Sequence, residues 1–234
     1  LVARRPSSLS PAEAAALPLT AITAMELLFD RLRLPPRGDA TDRRRSLLVV
    51  GAAGGVGSVL VQLVRELTDR TLIATASRSE SQAWLKQLGV EHCIDHHQPL
   101  APQLERLALP PVSEVISLTH TDQHFAALVD LLEPQGALAL IDDPAPQAID
   151  VLALKRKSLS LHWELMFTRS LYQTPDLARQ GELLQQLAAL VEAGRIRSTL
   201  RECLAPINAA HLREAHRRLE SSSSIGKLVL SGWP

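Results

Sequence analysis

The chain has 234 residues, long enough for one large α/β domain or for one domain with an appendage. Hydrophobic residues make up 46% and aromatic residues only 3%, so the core must be aliphatic. Twenty-five basic residues balance twenty-five acidic ones, which leaves no electrostatic footprint for nucleic acid or an anionic membrane surface.

Ser10-Pro11-Ala12-Glu13 is a helix start, with Ser as N-cap, Pro at the first helical position and an acid in the first turn. Leu17-Pro18 cuts that helix short. A second helix is predicted from about Thr20 to Leu32, with Ile22, Met25, Leu28, Phe29 and Leu32 on one face. Leu34-Pro35-Pro36-Arg37-Gly38-Asp39 ends it, and Arg43 to Arg45 reads as a solvated loop.

From there the pattern alternates. Strands are predicted at Ser46–Gly51, Thr71–Ala76, Val90–Ile94, Glu114–Leu118, Ala137–Ile141 and Leu159–Leu165. Helices fall between them at Val56–Leu67, Ser79–Leu88 (closed by Gly89), Gln103–Leu107 and Asp122–Leu132. Short continuous apolar strands alternating with helices indicate a parallel sheet covered on both faces, the doubly wound α/β pattern. A helix around Gly181–Ala193, a strand near Thr199–Leu204, a helix from Asn208 to Glu220 with Asn208 as N-cap, and a strand Lys227–Leu230 complete the chain. Ser221–Ser224 is a short linker.

The longest apolar stretch, Leu47 to Val64, contains four glycines, Ser58 and Gln62, and fits a strand-turn-helix better than a membrane span. No apolar run follows Arg4 and Arg5 before Pro11, so no secretory signal is read there. Cys93 and Cys203 are expected as small buried or half-buried side chains in a reducing compartment, and a cytoplasmic location is expected.

Gly51-Ala52-Ala53-Gly54-Gly55-Val56-Gly57 follows a predicted strand and opens a predicted helix. A tight turn needs glycine, a pyrophosphate needs backbone without an intervening Cβ, and the helix must pack closely on the strand. The helix N-terminus then offers free N–H groups and partial positive charge to phosphate. Ala52 stands where the usual fingerprint has its first glycine, so this is a variant. A purely structural turn and an S-adenosylmethionine site are the other readings of the same glycines. No Lys-Ser or Lys-Thr follows them, which excludes a P-loop.

The end of the second strand discriminates between nicotinamide cofactors. A carboxylate there accepts the ribose hydroxyls of NAD; this chain has Thr75-Ala76-Ser77-Arg78, which suits a 2′-phosphate and favours NADP(H). Glu80 would reverse that preference if the strand ended later.

Several further segments accompany the glycine loop: Leu17-Pro18-Leu19-Thr20, Thr23-Ala24, Leu88-Gly89, Ser117 to His124, Ile141 to Pro144, Lys155 to Phe167 and Gly226 to Leu230. As an ordered set, spread over essentially the whole chain, they resemble the medium-chain dehydrogenases/reductases. The likeness is to the branch of zinc-type alcohol dehydrogenase-like proteins and quinone oxidoreductases. The resemblance implies a Rossmann domain over residues 34–170, a helical lead-in over 1–33 and a closing helix with a return segment over 171–234. It also implies a GroES-like domain before Leu1, supplying most of the substrate pocket and any zinc ligands, so the chain reads as cut from a longer protein. The cofactor contacts it implies are Thr20 near the nicotinamide and Lys227 near the cofactor, with Leu118 and Thr119 against the nicotinamide ribose. Together with Ala53, Gly54, Gly55, Val56, Gly57, Ser77 and Arg78 they form the expected NADP(H) site.

The implied function is metal-free hydride transfer to a quinone or α,β-unsaturated carbonyl. The alternative is a nucleotide-binding module without turnover. A small-molecule substrate is expected as partner, and a homodimer through the strand near Ser158–Leu165. His96 and His97, being adjacent, are expected to point apart, so no metal site is assigned to the histidines. His211 and His216 are placed on a solvated helix face, and Asp142-Asp143 reads as loop caps or pocket edges. Tyr172 has Asp176 four residues on, which removes the Tyr-Lys pair of short-chain dehydrogenases. No catalytic residue is named.

Overall fold

The structure is a computed structural model that describes residues 2–39, 42–221 and 223–233; Ser222 of the serine linker lies outside the described residues. Ser10 caps α1 (Pro11–Ala15) with a reciprocal box, its hydroxyl accepting from Glu13 N at 3.2 Å while the Glu13 carboxylate accepts from Ser10 N at 2.9 Å. The second helix starts earlier than Thr20, because Pro18 takes the first position of α2 (Pro18–Met25). It continues as a π-helical segment, Glu26–Arg31. The run Pro11–Arg31 is long and apolar enough by composition to cross a membrane, but most of it is buried inside the protein as a core helix.

The central sheet is formed by β1 (Ser46–Val50), β2 (Thr71–Thr75), β3 (His92–Ile94), β4 (Val112–Ser117), β5 (Ala137–Leu140) and β6 (Ser160–Trp163). Their order is β3-β2-β1-β4-β5-β6, and every pairing is parallel. The crossovers run through α3 (Gly55–Leu67), α4 (Ser79–Gln87), α5 (Leu100–Leu107) and α6 (Thr121–Leu131). This is the doubly wound Rossmann arrangement, with the strand order reversing direction between β1 and β4. β1 and β4 are buried along their whole lengths, as expected of strands covered on both faces.

Two aliphatic cores flank the sheet. One joins Leu47, Val49, Leu60, Leu63 and Val64 to Ala21, Met25 and Leu28 of the lead-in helix and to Leu183 and Leu187 of α8 (Arg179–Glu192). The other gathers Leu48, Val50, Ile73, Phe125, Leu128 and Leu138. Between β6 and α8 lies α7 (Thr168–Leu171). Beyond α8, β7 (Leu200–Leu204) pairs in parallel with β8 (Lys227–Leu230), and α9 (Ala209–Glu220) makes the crossover; Asn208 caps it, accepting from His211 N at 2.8 Å. Cys93 is half-buried, whereas Cys203 is exposed, contrary to expectation, because β7 belongs to this small two-stranded sheet with little covering it. Arg43 and Arg44 are exposed as expected, but within a 3₁₀ turn, Asp42–Arg44, whose Asp42 is buried.

Among the described residues, charged groups are buried at two places. At the start of the strands, Arg70 pairs through Nε with Asp42 and through Nη2 with Glu114, each at 2.8 Å. At the lead-in helix, Arg169 pairs with Glu26 at 2.5 Å, Asp30 at 2.8 Å and Asp176 at 2.9 Å. Next to it Arg31 Nε donates to Glu164 at 2.6 Å. Burial, with Glu26 close by, pushes the Glu164 carboxyl up to about 8 against the pull of Arg31.

A carboxyl whose folded value lies above its ordinary value of 4.5 contributes stability that is complete below 4.5 and is lost as pH rises through about 8. Unfolding free energy measured in urea should therefore decline from pH 5 to pH 9, and Glu164→Gln, which stays neutral, should flatten that decline. An unchanged slope in Glu164→Gln would remove Glu164 as its source.

Candidate cofactor-binding site

β1 runs directly into the glycine loop, and α3 begins at Gly55. Gly51 has a left-handed φ of 77°, and a Cβ there would stand 2.7 Å from Thr119 Cγ2. Gly54 is the N-cap of α3 with extended backbone and no side-chain bond, so no side chain competes for the first N–H groups of the helix. At Gly57 a Cβ would fall 2.3 Å from the Ala52 carbonyl oxygen. The helix approaches the strand end as closely as only glycine permits. Ser58, which follows, is fully buried; its hydroxyl donates to Ala53 O at 3.1 Å and accepts from Trp84 Nε1 at 2.9 Å.

This loop forms one side of a cleft of about 680 Å³ at the carboxyl ends of the strands. Of the predicted residues, Ala53, Gly54, Gly55, Val56, Gly57, Ser77, Arg78, Leu118 and Thr119 line it. Thr20 and Lys227 stand behind the loop and meet at Gly55, where a Cβ would lie 3.4 Å from Thr20 Cγ2 and 2.9 Å from Lys227 Cδ. The Thr20 hydroxyl bonds back to Leu17 O at 3.0 Å, so its methyl is what faces the loop. Gly226 N donates to Ala53 O at 2.9 Å, which fastens the chain's last strand to the loop.

β2 ends at Thr75, so Ser77 and Arg78 sit just past its end as the sequence requires. The Thr75 hydroxyl accepts from Gly51 N at 3.2 Å, tying β2 to the loop. Arg78 is exposed on the wall, and its Nη2 donates to the Ser223 carbonyl at 2.6 Å. Glu80 turns elsewhere and sits 3.4 Å from Arg201 Nη2. Asp142 caps α6: its carboxylate accepts from Thr121 N at 2.9 Å and from the Thr121 hydroxyl at 2.5 Å.

The histidines require a correction. His96 and His97 do not point apart; their ring centroids are 4.8 Å apart, and His96 lies 5.9 Å from His124. Alternation of side chains holds only in an extended strand, and β3 stops at Ile94, so the loop beyond it brings both rings to one side. His120, with a left-handed φ of 52°, precedes α6, and it joins His96, His97, Gln123 and His124 on the cleft wall. The sequence pattern was read for these histidines only as metal ligands, and their place on the cleft wall was missed. Their signal was positional: they follow the carboxyl ends of β3 and β4, the ligand side of an open parallel sheet.

Residues 88–230 match the family model of the zinc-binding dehydrogenases. A zinc-type alcohol dehydrogenase-like protein of Staphylococcus aureus strain MSSA476 is 33% identical over 231 residues, which is 99% of this chain and 68% of that protein. Among solved structures, a Rhizobium etli CFN 42 protein assigned to the zinc-dependent alcohol dehydrogenases has 50% identity and a TM-score of 0.92, covering 99% of this chain and 67% of that one. The quinone oxidoreductase of Coxiella burnetii has 26% identity and a TM-score of 0.73, covering 97% of this chain and 62% of that one. The zinc in three of these descriptions finds no matching donor set: among the described residues no group of three or more His, Cys, Asp or Glu is arranged to hold a metal ion.

Gly57→Ala should lower the unfolding free energy by about 1–3 kcal/mol, since the added methyl overlaps backbone rather than a movable side chain. Guanidinium denaturation of the two proteins measures this directly, and equal midpoints would mean that the contact is not tight.

Proposed function

The chain belongs to the zinc-binding dehydrogenase family, and from that premise we propose that it binds NADP(H) for an oxidoreductase that passes hydride to a quinone or an α,β-unsaturated carbonyl. The observation that carries the cofactor choice is the end of β2. A hydroxyl and a guanidinium, Ser77 and Arg78, line the cleft where an NAD site needs a carboxylate. The nearest acid, Glu80, is paired with Arg201. The substrate class is supported by the likeness to the Coxiella burnetii quinone oxidoreductase.

In this reading the N-terminus of α3 and the glycine loop hold the pyrophosphate, and Ser77 and Arg78 hold the 2′-phosphate. Leu118 and Thr119 lie against the nicotinamide ribose, while Thr20 and Lys227 support the loop from behind near the nicotinamide. When bound, the cofactor supplies the hydride chemistry. The chain's own residues bind and orient, and none is assigned a catalytic role. The unpaired thiols Cys93 and Cys203 fit a reducing compartment, which we take to be the cytoplasm.

Calorimetric titration with NADPH and NADH, repeated on Arg78→Ala, tests the cofactor. Loss of the guanidinium contact should cost NADPH about 1.5–3 kcal/mol, roughly tenfold or more in affinity, and leave NADH nearly unchanged. Equal weakening of both nucleotides would assign Arg78 to the cleft wall in general and not to the 2′-phosphate.

We propose also that β6 pairs with its copy in a second subunit. It is the outer strand of the sheet, joined to β5 on one side, and Trp163, Leu165 and Phe167 at its end are exposed apolar groups. Light scattering at micromolar concentration should then give twice the chain's 25.5 kDa; a monomeric mass would end the proposal.

A further inference from the structure

We infer that the histidine cluster on the cleft wall makes dinucleotide binding proton-linked, so that the protein holds its cofactor more tightly as pH falls. The inference rests on the reading of the cleft as a dinucleotide site and adds a form of regulation to it. Its basis is the convergence of two loops that the sequence keeps apart. His96 and His97 arrive from the end of β3, and His120 and His124 from the start of α6. The His96 ring is in edge contact with both His97 and His124.

Neutral partners hold two of these rings in place: His96 Nδ1 is 3.2 Å from the Thr75 hydroxyl, and His120 Nδ1 is 2.7 Å from the Thr119 hydroxyl. Of the charged groups around the cluster, Asp95 stands on the same loop as His96 and favours its charged form. Its carboxylate already accepts from His97 N at 2.9 Å. On α6, Asp122 likewise favours the charged form of His124. From the end of β2, Arg78 lines the same cleft and adds positive charge. Burial, and then the neighbouring imidazoles, hold His96 and His124 below the ordinary histidine value of 6.5 despite those two aspartates. In the free protein both rings are therefore biased toward the neutral form.

A dinucleotide brings the two negative charges of its pyrophosphate into this cleft, and a 2′-phosphate adds more. Opposite charge nearby favours the imidazolium, so the histidine values rise when the cleft is filled. A group whose value is higher in the complex takes up protons on binding. Affinity is then greatest below the free-protein values and falls as pH rises through those of the complex. A rise of one pH unit at one ring corresponds to a limit of about tenfold in affinity.

The test is titration calorimetry of the intact chain with NADP⁺ and NAD⁺ near pH 6.5, in two buffers of different ionisation enthalpy. It is repeated on the double variant His96→Asn, His124→Asn. NAD⁺ lacks the 2′-phosphate, which itself titrates near pH ~6, so proton uptake with NAD⁺ comes from the protein alone. The expected result is buffer-dependent heat reporting net uptake with NAD⁺, with affinity falling about threefold to tenfold from pH 6 to pH 8. In the double variant the nucleotide should still bind while the uptake disappears. The wild-type buffer comparison stands even if the double variant is poorly folded. Binding with buffer-independent heat, or uptake that survives in the double variant, overturns the inference and leaves the cofactor site intact. Absence of binding by either nucleotide overturns the cofactor reading itself, and this inference with it.

Discussion

The first turn of α3 rests on the backbone of Ala52 with no room for a Cβ at Gly57, and most of the site's geometry depends on that contact. Because the helix sits so close to the end of β1, its N-terminus stands directly over the cleft, with Gly54 leaving its first N–H groups free of side-chain caps. The same closeness buries Ser58, whose hydroxyl links the loop to Trp84 of α4. One turn further on, the Gln62 amide accepts from Arg197 N at 3.0 Å. The approach of helix to strand therefore also sets where the return segment docks.

Three distant parts of the chain meet at the glycine loop. The lead-in helix brings the Thr20 methyl, the last strand brings Lys227 and the Gly226–Ala53 hydrogen bond, and the end of β2 brings the Thr75 hydroxyl to Gly51 N. A loop supported from three sides keeps its backbone amides oriented before any ligand arrives, which reduces the ordering that binding requires. The cleft also lies at the point where the strand order reverses, between β1 and β4, where the loops above neighbouring strands diverge and leave a crevice.

The buried charges follow a different logic. An aliphatic sheet core gives ionised groups no partners, and the buried pairs lie at its margins: Arg70 with Asp42 and Glu114 at one end, Arg169 and Arg31 with their acids at the lead-in helix. Such pairs add little net stability over well-packed apolar residues, but a misplaced partner leaves an uncompensated buried charge. They act as registration points. Arg169 joins the lead-in helix to α7 and to Asp176 before α8, so elements far apart in sequence have a single arrangement in which their charges are paired.

Hydrophobic periodicity and local backbone chemistry determined most of the fold by themselves. The alternation of apolar strands and helices, the Ser10 and Asn208 caps and the glycine loop between β1 and α3 are local signals, since each depends on residues within one turn or one strand. The Ser77-Arg78 end of β2 was legible for the same reason. What needed the tertiary structure was every relation between segments distant in the chain. That Glu80 faces Arg201, that Thr20 and Lys227 meet behind Gly55, and that Cys203 is left uncovered on a two-stranded sheet depend on packing that no local pattern encodes. The histidines are the clearest case. Their neighbours in sequence suggested rings pointing apart, but β3 stops at Ile94, and the free loop beyond it and the left-handed turn at His120 bring four imidazoles to one wall. Backbone propensity acts over a few residues, whereas a binding wall is assembled by loops that only the closed sheet brings together.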